Sequence, residues 1–180
     1  RRPPRSTLDR SSAASDVYKR QIPHTVAHSI LSFRDYPINL LTVHISGGMS
    51  MLIKAREAAH AIKSKIIGVS LLTSLDQKDI KRVFFNNTRK VADNLFDLAK
   101  EAKMDGIVCS AHELKYAMTN IPNLLKIVPG IRLSSSNDDQ KRVMSPAEAL
   151  DLGANHLVIG RPITESRHPN AELKKILETL

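Results

Sequence analysis

Short apolar runs that do not alternate with polar residues constrain this chain more than anything else in it. Asn39-Leu40-Leu41-Thr42-Val43-His44, Ile66 to Leu72, Ile107-Val108-Cys109, Leu124 to Val128 and His156 to Ile159 are too short for buried helices. They also lack the polar-apolar alternation of a strand with one wet face. Helical periodicity fills the gaps between them. Val26, Ile30 and Phe33 mark a helix over about 24–33, and Met51, Leu52, Ala55, Ala59 and Ile62 share one face of the next. Lys90 to Ala102 is amphipathic, Ala111 to Met118 is a short helix, and Leu173, Ile176, Leu177 and Leu180 line a last helix over 171–180. Ser145-Pro146-Ala147-Glu148 is a capping-box start with proline at the first helical position, and Gly153 stands where that helix should stop. Strands buried on both faces and separated by helices predict an α/β fold with a parallel sheet.

The pattern is regular only from Ile22 onward. Residues 1–21, RRPPRSTLDRSSAASDVYKRQ, are rich in Arg, Ser and Pro, show neither period, and read as a leader without regular structure that is foreign to the rest of the chain. Residues 22–180 read as the C-terminal part of a single domain. The first element after the leader is a helix start, so a strand should precede it. A closed (β/α)8 barrel needs eight strands over about 250 residues; five strands in the 159 residues from Ile22 predict an incomplete barrel with the last five βα units.

The formal net charge of +9 raises nucleic acid as a partner, but its distribution argues against one. The leader alone holds six basic residues against two acidic, and the rest mixes 21 basic with 16 acidic. With 4% aromatic residues there is no stacking platform. No apolar run reaches the ~18 residues of a membrane span, and no secretory h-region opens the chain. The single Cys109 allows no internal disulfide, fits a reducing cytoplasm, and reads as core packing rather than a nucleophile.

In parallel α/β folds, functional groups collect at the carboxyl ends of strands. Those ends read His44-Ile45-Ser46-Gly47-Gly48, Thr73-Ser74, Ser110, Pro129-Gly130-Ile131-Arg132 and Gly160-Arg161. Hydroxyls, glycines and arginines recur, whereas carboxylates are nearly absent. Such a rim suits a polar anion, since backbone N–H groups and a guanidinium fork are what a phosphate needs. His44, His112 and His156 lack metal-ligand spacing and read as structural histidines.

Taken together, Ile22-Pro23-His24-Thr25, Val43-His44-Ile45-Ser46-Gly47-Gly48, Leu72-Thr73-Ser74-Leu75-Asp76-Gln77, Asp105 to Glu113, Val128-Pro129-Gly130-Ile131-Arg132, Asp139-Gln140-Lys141-Arg142-Val143 and Leu157-Val158-Ile159-Gly160-Arg161-Pro162 resemble bacterial orotidine 5'-phosphate decarboxylase. The resemblance runs in order from Ile22 to Leu180. It implies a TIM barrel of the ribulose-phosphate-binding type, acting as a homodimer on orotidine monophosphate to give uridine monophosphate and carbon dioxide in pyrimidine synthesis, without metal or organic cofactor. It implies that the loop over 129–142 closes over substrate, and that Gln140, Arg161 and the backbone of Gly160 grip the phosphate. Pro129 and Arg132 would lie at the base of that loop, Thr73 at the pyrimidine and ribose end, and Thr25 at the neighbouring subunit's site, with Ile22 at that edge.

One motif of the family is broken. Asp-x-Lys-x-x-Asp stands before Ile-Pro-x-Thr in the family, its Lys protonating the carbon that loses carbon dioxide. Here the window is Asp16-Val17-Tyr18-Lys19-Arg20-Gln21. Asp16 falls in register by coincidence, Tyr18 replaces the Lys and Gln21 the last Asp. Lys19, one residue out of register, would face the other way along a strand. The expectation is an inactive fragment of the enzyme, with unpaired sheet edges prone to aggregation. Another phosphosugar decarboxylase or isomerase barrel, or a non-catalytic phosphate-binding module, are the competing readings.

Overall fold

All five apolar runs form strands, and helices separate them. The computed structural model describes residues 13–16 (as backbone), 22–131 and 144–180. The described chain runs β1 (Ala13–Asp16), α1 (Pro23–Leu31), β2 (Ile38–His44), a 3-10 turn (Ile45–Gly47), α2 (Met49–Ala61), β3 (Lys65–Val69), α3 (Gln77–Phe84), α4 (Thr88–Glu101) and β4 (Gly106–Val108). It continues through α5 (Ala111–Asn120), β5 (Leu125–Pro129), α6 (Pro146–Asp151), β6 (His156–Val158), α7 (Arg161–Thr164) and α8 (Pro169–Glu178). The sheet order is β1-β2-β3-β4-β5-β6, and every pairing is parallel. Among the described residues β1 and β6 each have one neighbour, so the sheet has two open edges. Val158 of β6 is 50% exposed, as befits an edge strand.

Three elements depart from the sequence reading. One is the four-residue α7, where only the strand end Gly160-Arg161 was read. Four residues of the leader, expected to lack regular structure, form β1, with Ala14 opposite Leu40 and Asp16 opposite Thr42. A strand edge offers backbone N–H and C=O groups to any partner backbone, so Ala-Ala-Ser-Asp needs no apolar pattern to pair there. Helix α3 was not expected from the sequence, where its apolar positions Ile80, Val83 and Phe84 span little more than one turn; its start is set by Asp76, which accepts hydrogen bonds from the N–H groups of Lys78 (2.7 Å) and Asp79 (2.8 Å). Elsewhere the reading holds within a few residues. Ile22 caps α1 with Pro23 next, and Val26 and Ile30 pack into the core that Met51, Leu52, Ala55 and Ala59 of α2 also line. Glu148 closes the α6 box by accepting from the Ser145 N–H at 2.9 Å and its hydroxyl at 2.8 Å, and these bonds hold its carboxyl below the usual value. Gly153 ends the helix in the left-handed region, at φ +97°.

Registers align the strand ends. His44 pairs with Val69, Val69 with Val108, Val108 with Ile127, and Pro129 with Val158. One rim of the sheet therefore collects every carboxyl end. The opposite rim carries a repeated latch, in which the residue just before a strand bonds, through its side chain, the start of the preceding strand. Ser64 Oγ donates to the Ile38 carbonyl (2.6 Å). Asp105 Oδ2 accepts the Ile66 N–H (2.8 Å) while the Asp105 N–H reaches the Ile66 carbonyl (3.1 Å). Asn155 repeats this on Lys126, with Oδ1 accepting its N–H (2.8 Å) and the Asn155 N–H reaching its carbonyl (2.9 Å). These latches fix register at one rim and leave the other free for chemistry.

Candidate functional site

The rim at the carboxyl ends holds a cavity of about 520 Å³, lined by residues 71–76, Ile80, Thr88, Ser110 to Glu113, and Pro129-Gly130. Thr73 is exposed in the loop after β3, and Pro129 is the half-buried last residue of β5. The fold thus brings Thr73 and Pro129, 56 positions apart in the chain, to one cavity. Gly130 turns the chain away from β5 with φ +79°, in a conformation that disfavours a side chain. Nearby, Ser70 clamps β4 from β3: its N–H and its hydroxyl both donate to the Val108 carbonyl, at 3.1 and 2.9 Å.

Gly160 and Arg161 follow β6 on the same rim and are exposed. Gly160 caps the short α7, its carbonyl accepting the N–H groups of Ile163 (2.9 Å) and Thr164 (3.0 Å), and a side chain there would meet nothing within 4 Å. Thr25 is half-buried in the first turn of α1, where its N–H donates to the carbonyl of Ile22 at 3.0 Å; Ile22 itself is 70% exposed. None of these four lines the cavity. Arg132 and Gln140 lie outside the described residues, as do Val17 to Gln21. Asp16 ends β1, which puts the backbone of the broken motif's first position at the same rim.

Two carboxylates that the sequence reading did not weigh, Asp76 and Glu113, line the cavity. Both hold helix starts. Asp76 caps α3, and Glu113 Oε2 accepts the Ser110 N–H (2.8 Å) and the Ser110 hydroxyl (2.9 Å) at the start of α5. The signal for each was a cap pattern, Asp76 ahead of α3 and Ser110-x-x-Glu113 at α5. The cavity presents hydroxyls from Thr73, Ser74, Thr88 and Ser110 with the imidazole of His112, a surface that donates and accepts hydrogen bonds. Cys109, one residue before Ser110, is 1% exposed, and burial, with the negative charge of Glu113 adding to it, pushes its thiol up to about 12. That thiol is inert at neutral pH. His44 and His156 occupy opposite ends of their strands, His44 last in β2 and His156 first in β6. They do not converge.

Parallel βα units whose aligned carboxyl ends carry hydroxyls, a Gly-Arg pair and a polar cavity define a segment of a βα barrel. Solved structures agree: orotidine 5'-phosphate decarboxylase from Lactobacillus acidophilus superposes with a TM-score of 0.78 at 28% identity, over 92% of this chain and 73% of that one. Residues 21–176 match the family described as orotidine 5'-phosphate decarboxylase / HUMPS. The orotidine 5'-phosphate decarboxylases of Ehrlichia chaffeensis (41% identical, 90% of this chain, 71% of the relative) and of Wolbachia pipientis (39%, 92% and 74%) extend that similarity over most of both chains. The chain belongs to the orotidine 5'-phosphate decarboxylase family, a family of carboxy-lyases.

Proposed function

We propose that this chain carries the phosphate-binding part of an orotidine 5'-phosphate decarboxylase, taking orotidine monophosphate and uridine monophosphate as ligands. The observation that carries the reading is the family match over residues 21–176, which spans the strand-end rim from Thr25 to Arg161. In this reading Arg161 and the Gly160 backbone hold the phosphate with Gln140, while Arg132 and Pro129 form the base of the loop over 129–142. Thr73 meets the pyrimidine and ribose. Thr25, with Ile22 beside it, completes the neighbouring subunit's site in a cytoplasmic homodimer. No described helix is long and apolar enough to cross a membrane.

Binding and turnover part company in this chain. The family match begins at residue 21, inside the stretch 1–21 read as a leader, and relatives that align over 92% of the chain reach into that stretch as well. Tyr18 and Gln21 stand where a cofactor-free decarboxylase needs its Lys and Asp. A carbanion-like centre needs a positioned cation that also donates the proton, and a neutral phenol and amide supply no cation. The test is titration of the full chain with uridine monophosphate, alongside an assay of orotidine monophosphate decarboxylation. Arg161→Ala should weaken nucleotide binding by about tenfold or more, the loss of a charge-assisted contact worth roughly 1.5–3 kcal/mol. Equal affinity of wild type and variant would remove Arg161 from the site, and turnover above a blank would overturn the inactive reading.

A further inference from the structure

Helix α1 carries a feature that the proposed function leaves unused. His24 and His28 lie four residues apart, one turn above the other on an exposed face, opposite the buried Val26 and Ile30. Their Nε2 atoms are 3.2 Å apart. The ring centroids are 4.3 Å apart, with the planes tilted by 48°. The centroids are thus only a little farther apart than the nitrogens. Two rings meeting head-on through an N–H···N bond would add nearly a full ring width to that separation. Here the rings stand side by side, with their Nε2 edges drawn together.

That spacing is the bite of a chelate. With metal–nitrogen bonds of about 2.0–2.1 Å, two donors sit roughly 2.9 Å apart at a right angle and roughly 3.4 Å apart at the tetrahedral angle. The observed 3.2 Å falls between these limits. The helix sets it, so little ordering of the backbone is required on binding. We propose that His24 and His28 form a two-histidine site for a divalent transition-metal ion of the class that prefers imidazole, Zn²⁺, Ni²⁺ or Cu²⁺. Both rings bind as their Nδ1–H tautomers, each giving the Nε2 lone pair to the ion. No group of three or more His, Cys, Asp or Glu side chains that could hold a metal occurs among the described residues, so water fills the other positions and the ion exchanges readily. Clipping the first turn of α1 to the second stabilises the helix, because the ion binds only where the two rings are held together.

The test uses the full chain and Zn²⁺ alone, followed by the imidazole NMR signals of all seven histidines. The first equivalent should shift the signals of His24 and His28 together, ahead of the other five. His24→Asn and His28→Asn should each weaken binding of that first equivalent by about tenfold or more, since one remaining imidazole loses the advantage of the second. Both positions are exposed in the single chain but flank Thr25 on α1, so the variants are compared with wild type at a concentration where size-exclusion chromatography gives all three the same oligomeric state. The wild-type spectra decide the matter even if a variant misfolds. Saturation of other histidines first, or unchanged affinity in both folded variants, overturns the site.

Discussion

Asp105 offers the sharpest test of how this sheet is held together. Its carboxylate receives the N–H of Ile66 at 2.8 Å and contacts His60 Nε2 at 2.9 Å, tying the start of β3 to the end of α2. Ile66 is wholly buried. Asp105→Ala leaves that amide without its carboxylate, and a buried bond to a charged group contributes about 1.5–3 kcal/mol. The half-exposed His60 contact adds at most about 1 kcal/mol. The backbone bonds from Asp105 to the Ile66 carbonyl and from Leu125 to the Asp105 carbonyl do not depend on the side chain, so the register survives. The expected loss is about 2–3 kcal/mol, or roughly 4–12 °C in Tm for a chain of this size. Urea unfolding followed by circular dichroism measures it. Asp105→Asn keeps an acceptor oxygen and should recover most of the loss. Uridine monophosphate affinity should not change in either variant, because the latch lies at the rim away from the strand ends. An Asp105→Ala protein within about 0.5 kcal/mol of wild type, the range of ordinary surface substitutions, would refute the latch.

Other perturbations separate packing from chemistry. Gly106→Ala would place a methyl 2.7 Å from both Cβ and the carbonyl oxygen of Leu125 and 2.9 Å from Ile67, so β4 and β5 must shift; a cost of about 1–3 kcal/mol should appear in the same unfolding assay. Cys109 should resist iodoacetamide at neutral pH until the protein unfolds. Its pH dependence has a definite sign. The thiol ordinarily titrates at 9.0 but is held at about 12 in the fold, so between these values the unfolded chain has lost a proton that the folded chain keeps. Stability from this group is full below pH 9 and declines above it, by up to ~1.4 kcal/mol per pH unit. Cys109→Ala should lack this part of the slope, and an identical alkaline slope in both proteins would show that the fold does not shield the thiol.

Much of the architecture was readable because it is written locally. A continuous apolar run bounded by helical periodicity needs no knowledge of distant residues, and five of the six strands were placed that way. The same holds for the Ser145 box and for the stop at Gly153, where one residue's conformation decides the outcome. Helix α3 escaped because it is two turns long: its apolar positions Ile80, Val83 and Phe84 fall at helical spacing but cover little more than one turn, too few to establish a period. Strand β1 escaped for the opposite reason: an exposed edge recruits backbone, and backbone carries no sequence code.

By itself, then, the sequence determined the α/β class, the parallel sheet, the resemblance that family membership bears out, and the break in the motif around Tyr18. These depend on side-chain identity and short-range order. The tertiary structure alone decided that Thr73 and Pro129 share a cavity, and that the helix-capping Asp76 and Glu113 line it too. It also decided that Asp105 and Asn155 latch onto residues 39 and 29 positions earlier. Such contacts join segments whose separation along the chain carries no period, and only assembly of the sheet brings them within hydrogen-bonding distance.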